Sequence, residues 1–424
     1  MSPDVLTSLT SSLPIITAST VPPVGRSSDQ HFLECSKSQY VIRNPADLHQ
    51  LDGCELVKGD ILVTDFNHPL LSFGDKLKQV NGSIVVEKSP DLVRLESPNL
   101  FLITGAFKLH QLTSLSLVLT PSLQTVSGLD WQVLPILSNV QISPGVSNIS
   151  TIIISDTSLM GFAGFNSEDL DILDINNNRF LDSIKCNVVN IKEKLHIAAN
   201  SRELSLSLPK LVKANNLTIH DVSQVDLANL QIVSNSMSII QNNLKLLKVP
   251  FLSKVGGTLS LLKNDGLANV DIPELKEVGG GLMIMNNTRL DKINFLPRLT
   301  MIGGALELAG NIKEAKFPSL KLVKGSAIIR SFVSLFDCNR WSHSDIRSIV
   351  RGGKIECGIG GNSPVGYGTP GSQVFDYNTG SNGKGNGTHE ILFSNGTSSA
   401  LSIFGAFQIG FALFIIEMTI HLIR

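Results

Sequence analysis

The chain has 424 residues, a formal net charge of −1, and is 42% hydrophobic but only 6% aromatic. Near-neutrality without any basic run excludes nucleic acid and anionic membrane surfaces as partners. An interior so poor in aromatics has to be built from Leu, Ile and Val.

Taken from the start, residues 1–30 read as an atypical leader. Leu13 to Ile16 form a weak apolar patch, but Asp4 and the lack of a basic residue depart from a secretory signal. Cys35 and Cys54 then flank the beginning of a repeat, and Cys338 and Cys357 flank its end, each pair separated by 19 positions. Two disulfides closing the ends of a stacked array are expected there, because a terminal unit lacks a neighbour on one side.

Between the cysteines a Pro-x-Leu phrase returns at Pro98, Pro121, Pro209, Pro250, Pro273, Pro297 and Pro318, with successive copies 21 to 24 residues apart or near two or four times that. Self-similarity at this period marks a solenoid. A second column, Leu-x-Ile or a near variant, recurs at Leu173, Leu195, Leu217, Met237, Leu259, Leu282 and Leu306, and its alternation describes a half-buried strand. Five positions on, asparagine recurs at Asn178, Asn200, Asn242, Asn264, Asn287 and Asn311, failing once at Val222. Stacked asparagines at a bend would bond along the coil axis to the next turn. Glycines at Gly256, Gly257, Gly279 to Gly281, Gly303 and Gly304 open several units, as expected where the chain turns at positive φ. Proline before Leu forbids helix and argues against a leucine-rich repeat with a helical convex side. The expected fold is therefore mainly β: a parallel β-solenoid ectodomain over 31–357, with about a dozen turns counted between Gly59 and Asn339, roughly 55 Å long at the usual strand spacing.

The outward positions of the Leu-x-Ile column read Asp174, His196, Thr218, Ser238, Ser260, Met283 and Glu307. An Asp–His–Thr row imitates a nucleophile triad, but a flat outer sheet offers neither a sheltered pocket nor an oxyanion hole, and no catalytic residue is assigned. Carboxylates are not paired on adjacent turns as a glycosidase on a parallel coil requires; Asp171 and Asp174 straddle one strand. The histidines are scattered, so no metal or other cofactor is expected. Cys186, where the repeat elsewhere has proline, reads as a half-buried structural thiol. Glycosylation sequons begin at Asn81, Asn148, Asn216, Asn286, Asn386 and Asn395.

Residues 358–399 have the Gly/Ser/Asn-rich composition of a linker. Residues 400–424 are apolar, which together with small residues upstream matches the signal for a glycolipid (GPI) anchor, the tail being removed. Asn395 is the expected attachment residue, with Gly396 and Asn386 as alternatives.

The stretches Ile152 to Leu159, Asp174 to Ser183, Val278 to Leu290 and Ile302 to Asn311 resemble the fungal GPI-anchored cell-wall organisation family. That family comprises the extracellular-mutant and sporulation-specific proteins of yeasts, with a core similar to receptor L-domains. The resemblance spans about Cys35 to Cys357 and includes both terminal cysteine pairs and the tail. It implies a non-enzymatic glycoprotein needed for assembly of the cell wall, partnered by glucan and mannoproteins, on the extracellular face of the plasma membrane and in the wall. A short glycine-rich linker in place of a Ser/Thr-rich stalk leans toward the sporulation branch. The alternative is a polysaccharide-remodelling enzyme on the same coil.

Overall fold

The computed structural model describes residues 34–360. The leader, all but the start of the linker, the apolar tail, and Asn386, Asn395 and Gly396 lie outside the described residues.

Each turn of the coil follows the same course. An inner strand residue such as Val233, Val255 or Val278 is followed by a kink and then by the Leu-x-Ile strand. A bend and a β-turn lead to a short strand on the opposite side. A second β-turn, carrying the proline, returns the chain to the next level. Both turns close with an i to i+3 hydrogen bond, as from Leu267 N to Asn264 O and from Leu252 N to Val249 O. Proline sits at the second position of the returning turn, where its fixed φ suits the geometry and its missing N–H costs nothing. Stacking places the strands in parallel register: Tyr40 against Ile61, Ile84, Phe107, Leu129, Ile152, Leu173, Leu195, Leu217, Met237, Leu259, Leu282, Leu306, Ala327 and Ile355. These are about fourteen turns, more than the dozen expected, because the coil starts before Gly59 and continues past Asn339 to the strand Ile355–Ile359. At the usual strand spacing the stack is ~67 Å long. The opposite side is a series of narrower parallel sheets, such as those joining Gly161, Ser183, Ser205 and Gln224.

One aliphatic core runs through every level, and most of its side chains are fully buried. Each Leu, Ile or Val so buried contributes ~1.5–3 kcal/mol relative to exposure, which is how a thin coil with no central globule holds together. Most aromatics among the described residues are internal, Phe180 and Phe251 being exposed. Trp131 and Trp341 are both buried, and Trp131 meets Phe107 edge to face at 5.9 Å.

The kink glycines act differently from the expectation. Gly256, Gly257, Gly279, Gly280, Gly303 and Gly304 do not have positive φ. They are needed because successive levels touch there: a Cβ on Gly279 would lie 2.1 Å from Gly256 O, and one on Gly303 would lie 1.9 Å from Gly279 O. Positive φ is found at the other bend, and mostly on residues with side chains: Asp65, Lys88, Gln111, Val133, Asp156, Asn177, Ala199, Asp221, Gln241, Lys263 and Asn286, at 48° to 59°. Each costs of order 1–2 kcal/mol in isolation and is held by its neighbours above and below.

Candidate functional site

The residue after each left-handed position points into the bend, and this is the asparagine column. Asn178, Asn200, Asn242, Asn264 and Asn287 are buried. Asn264 Oδ1 accepts from Asn242 N and Nδ2, both at 3.0 Å, and Asn264 Nδ2 donates to Ile239 O and to Asn287 Oδ1. Asn178 and Asn200 repeat the arrangement, and Thr157 caps it through Asn178 Oδ1. Asn311 does not continue the ladder. Gly310 before it has φ 141° rather than a left-handed value, so Asn311 is only half-buried and its amide reaches Thr288 O instead. These asparagines spend their hydrogen bonds on the fold.

Both expected disulfides form: Cys35–Cys54 and Cys338–Cys357 span Cα separations of 5.7 and 5.6 Å at the two ends of the coil. Cys186 is a free, buried thiol whose pKa burial raises, so it is inert. Asn81 and Asn148 are exposed; Asn216 and Asn286 are half-buried, Asn286 within the left-handed bend.

The outward face of the main sheet carries the chemistry. Strand register puts Asp174 beside His196, His196 beside Thr218, and so on through Ser238, Ser260, Met283 and Glu307, the row read from the sequence. Ser260 alone in that row is buried. Asp174 is the centre. Its Oδ1 lies 2.8 Å from His196 Nδ1 and accepts from Asn176 Nδ2 at 2.8 Å, and its Oδ2 accepts from Lys194 Nζ at 2.6 Å. Burial pushes this carboxyl up, but the bonds from His196, Lys194 and Asn176 outweigh it and hold it well below the usual carboxylate range. An ionised Asp174 can only accept, so His196 Nδ1 carries the proton between them and Nε2 faces away from the pair. Among the described residues no hydrogen bond joins His196 to Thr218. The pair therefore has a base and an orienting carboxylate without a nucleophile.

Similar groupings, unmarked by any motif, reach from that row into the next outward row and the left-handed bend. Asp130 accepts from Gln132 Nε2 at 2.6 Å and lies 3.1 Å from His110 Nε2, out of line for a hydrogen bond. Asn177 donates to Asp156. His220 lies 2.6 Å from Asp221 Oδ2 and 2.8 Å from Gln241 Oε1. Among the described residues no group of three or more His, Cys, Asp or Glu is placed to hold a metal. The signal for this second row was period-2 alternation carried two positions past the first, as at Asn176 after Asp174.

Fold and face together define a surface-display coil: a disulfide-ended parallel β-solenoid with an internal asparagine ladder and a broad, mixed polar sheet. No family model matches the chain, and no solved structure matches it. Sporulation-specific protein 22 of Saccharomyces cerevisiae is 41% identical over 327 residues, 76% of this chain and 70% of the relative. Sporulation-specific protein 2 of the same yeast is 37% identical over 331 residues, 77% of this chain and 66% of the relative. The cell wall mannoprotein PST1, also of Saccharomyces cerevisiae, is 31% identical over 321 residues, 75% and 71% of the two chains. The chain belongs to this family of fungal sporulation-specific and cell-wall proteins, and its place is at the cell surface, in the wall.

Proposed function

We propose that the protein is a non-enzymatic, glycosylated wall-assembly factor of the sporulation branch, held outside the plasma membrane by a glycolipid attached at Asn395 and in contact with glucan and mannoproteins. The observation that carries this reading is the 41% identity to a sporulation-specific protein across nearly the whole coil. The outer face supports it: His196 has an orienting carboxylate but no nucleophile, and Asp174 and Asp130 are each engaged by neighbouring side chains rather than facing each other across a cleft. Asn81, Asn148, Asn216 and Asn286 are the proposed glycan sites within the coil, together with Asn386.

Deletion of the gene tests the reading. It is expected to leave vegetative growth intact and to produce spores sensitive to wall-degrading enzymes; spores with normal walls would overturn it. Incubation of the protein with β-glucan oligomers is expected to leave their lengths unchanged. Turnover abolished by Asp174→Asn would instead establish the remodelling enzyme. Phospholipase treatment is expected to release the protein from intact cells.

A further inference from the structure

On the outer face of the main sheet, hydrogen-bonding side chains occupy most levels of two parallel rows. One row holds Lys108, Asp130, Ile153, Asp174, His196, Thr218 and Ser238, polar at every level but Ile153. The other, two residues further along each strand, holds His110, Gln132, the buried Ser155, Asn176, Ala198 and His220, polar at every level but Ala198. Stacked strands repeat every ~4.8 Å. That repeat is close to the advance per sugar of a flat, extended β-linked polysaccharide, whereas a helical polysaccharide turns its hydroxyls away from a straight row. The charge pattern points the same way. Asp174 is met by Lys194 and His196, Asp130 by Gln132 and His110, and Asp221 by His220, so apart from Lys108 at its end the strip's carboxylates each have a neighbour that opposes or engages them. Such a surface suits hydroxyls and offers little to a polyanion. The groups are also held by one another before any ligand arrives, which lowers the ordering cost of binding. Neither row itself contains a sequon; Asn148 lies ahead of its strand, and Asn216 lies two residues before Thr218, beside the strip rather than in it.

We propose that this strip, from Lys108 and His110 to His220 and Ser238, binds a ribbon-like β-linked polysaccharide of neutral sugars lying along the coil axis, about one sugar per turn. The proposal rests on the wall-assembly reading and adds to it a site and a linkage class. Ile240, Leu262 and Met285 continue the second row beyond His220, so the polar strip ends where that row becomes apolar.

The test is co-sedimentation of the full-length protein, solubilised in detergent, with insoluble cellulose and chitin as flat ribbons, and with linear β-1,3-glucan and mannan as non-ribbon arms. The expected result is binding to the ribbons at least tenfold tighter than to the other two. A variant combining Gln132→Ala, Asn176→Ala and His196→Ala is expected to remain folded, with a melting temperature lowered by the lost partners of Asp174 and Asp130, and to lose at least tenfold in ribbon binding. Should that variant unfold, Thr218→Arg with Ser238→Arg, which crowds the same strip, is expected to give the same loss. Ser183→Ala, Ser205→Ala and Ser207→Ala on the opposite side are expected to bind as the parent does. Equal binding by parent and folded strip variants overturns the site; preference for β-1,3-glucan or mannan, or no binding at all, overturns the ligand. None of those failures touches the deletion phenotype, by which the wall-assembly reading stands or falls separately.

Discussion

The first turns of the coil and the later ones solve the same bend in two ways. Up to Leu134 the residue after the left-handed position is mostly apolar: Phe66, Leu112 and Leu134, with Ser89 between them. There the pairing is mixed: Leu112 N donates to backbone, Val133 O of the next level at 3.2 Å, while Phe66 N donates to Ser89 Oγ at 2.9 Å. From Thr157 onward the donor turns to a side chain instead, Thr157 N to Asn178 Oδ1, Asn178 N to Asn200 Oδ1, and Asn242 N to Asn264 Oδ1. An asparagine rung also donates to a backbone carbonyl such as Ile239 O, so it ties three levels together. The difference teaches that a solenoid bend requires every buried amide to be paired but leaves open which group does the pairing. A second device serves both regions: Gly59, Gly82 and Gly105 in the first turns and the paired glycines in the later ones let levels touch at the kink.

The largest effect should come from breaking that glycine stack. Gly279→Ala places a Cβ 2.1 Å from backbone that has no room to move, and should cost more than ~4 kcal/mol, the range of severe core mutations. Gly74→Ala, with nothing within 4 Å but φ 72°, should cost only ~1 kcal/mol. Chemical denaturation of both variants checks the contrast; similar losses would mean that the close approach of levels is not what selects glycine.

Next comes the ladder. Asn264→Ala strands Asn242 N and the Ile239 carbonyl in the interior and should cost ~3 kcal/mol, whereas Leu112→Ala should show the transfer and cavity loss of an aliphatic residue without orphaned polar groups. Hydrogen exchange separates the two: Asn264→Ala should raise exchange at Asn242 by orders of magnitude, while Leu112→Ala should raise it evenly around its own level.

Acid should act on the later face more than on the first turns. Asp174 has a folded pKa held below its unfolded value, so its stabilising contribution is complete above the ordinary Asp pKa of ~3.9 and is lost as pH falls below it. Asp174→Asn should therefore lower the melting temperature at pH 7 but flatten its decline between pH 4 and pH 2. An unchanged acid slope would remove Asp174 from the account. The smallest expected effect is a gain. Val222→Asn restores the missing rung beside Asn200 and Asn242 and should stabilise by ~1 kcal/mol, the usual net value of a hydrogen bond.

Much of this comparison was legible in the residues. The Leu-x-Ile phase set the strand register, and the asparagine column named five of the ladder's members, because stacked levels put equivalent residues at equal sequence spacing. The sixth, Asn311, matched the spacing but not the backbone, since Gly310 redirects the bend. The glycines were read through their conformational freedom when their lack of a Cβ was the operative property. The residues that do take positive φ, Lys88, Gln111 and Ala199 among them, have no common chemistry and leave no local mark.

The sequence by itself determined the coil, its register, its closed ends and its family, since each follows from a period and from residues that recur with it. Tertiary structure decided what lies beside what across levels. Asp174 meets His196 and Lys194 only because parallel stacking brings residues 20 and 22 positions apart to within hydrogen-bond distance. The value of such a contact is set by the burial and partners around it, which no single strand carries in its own order.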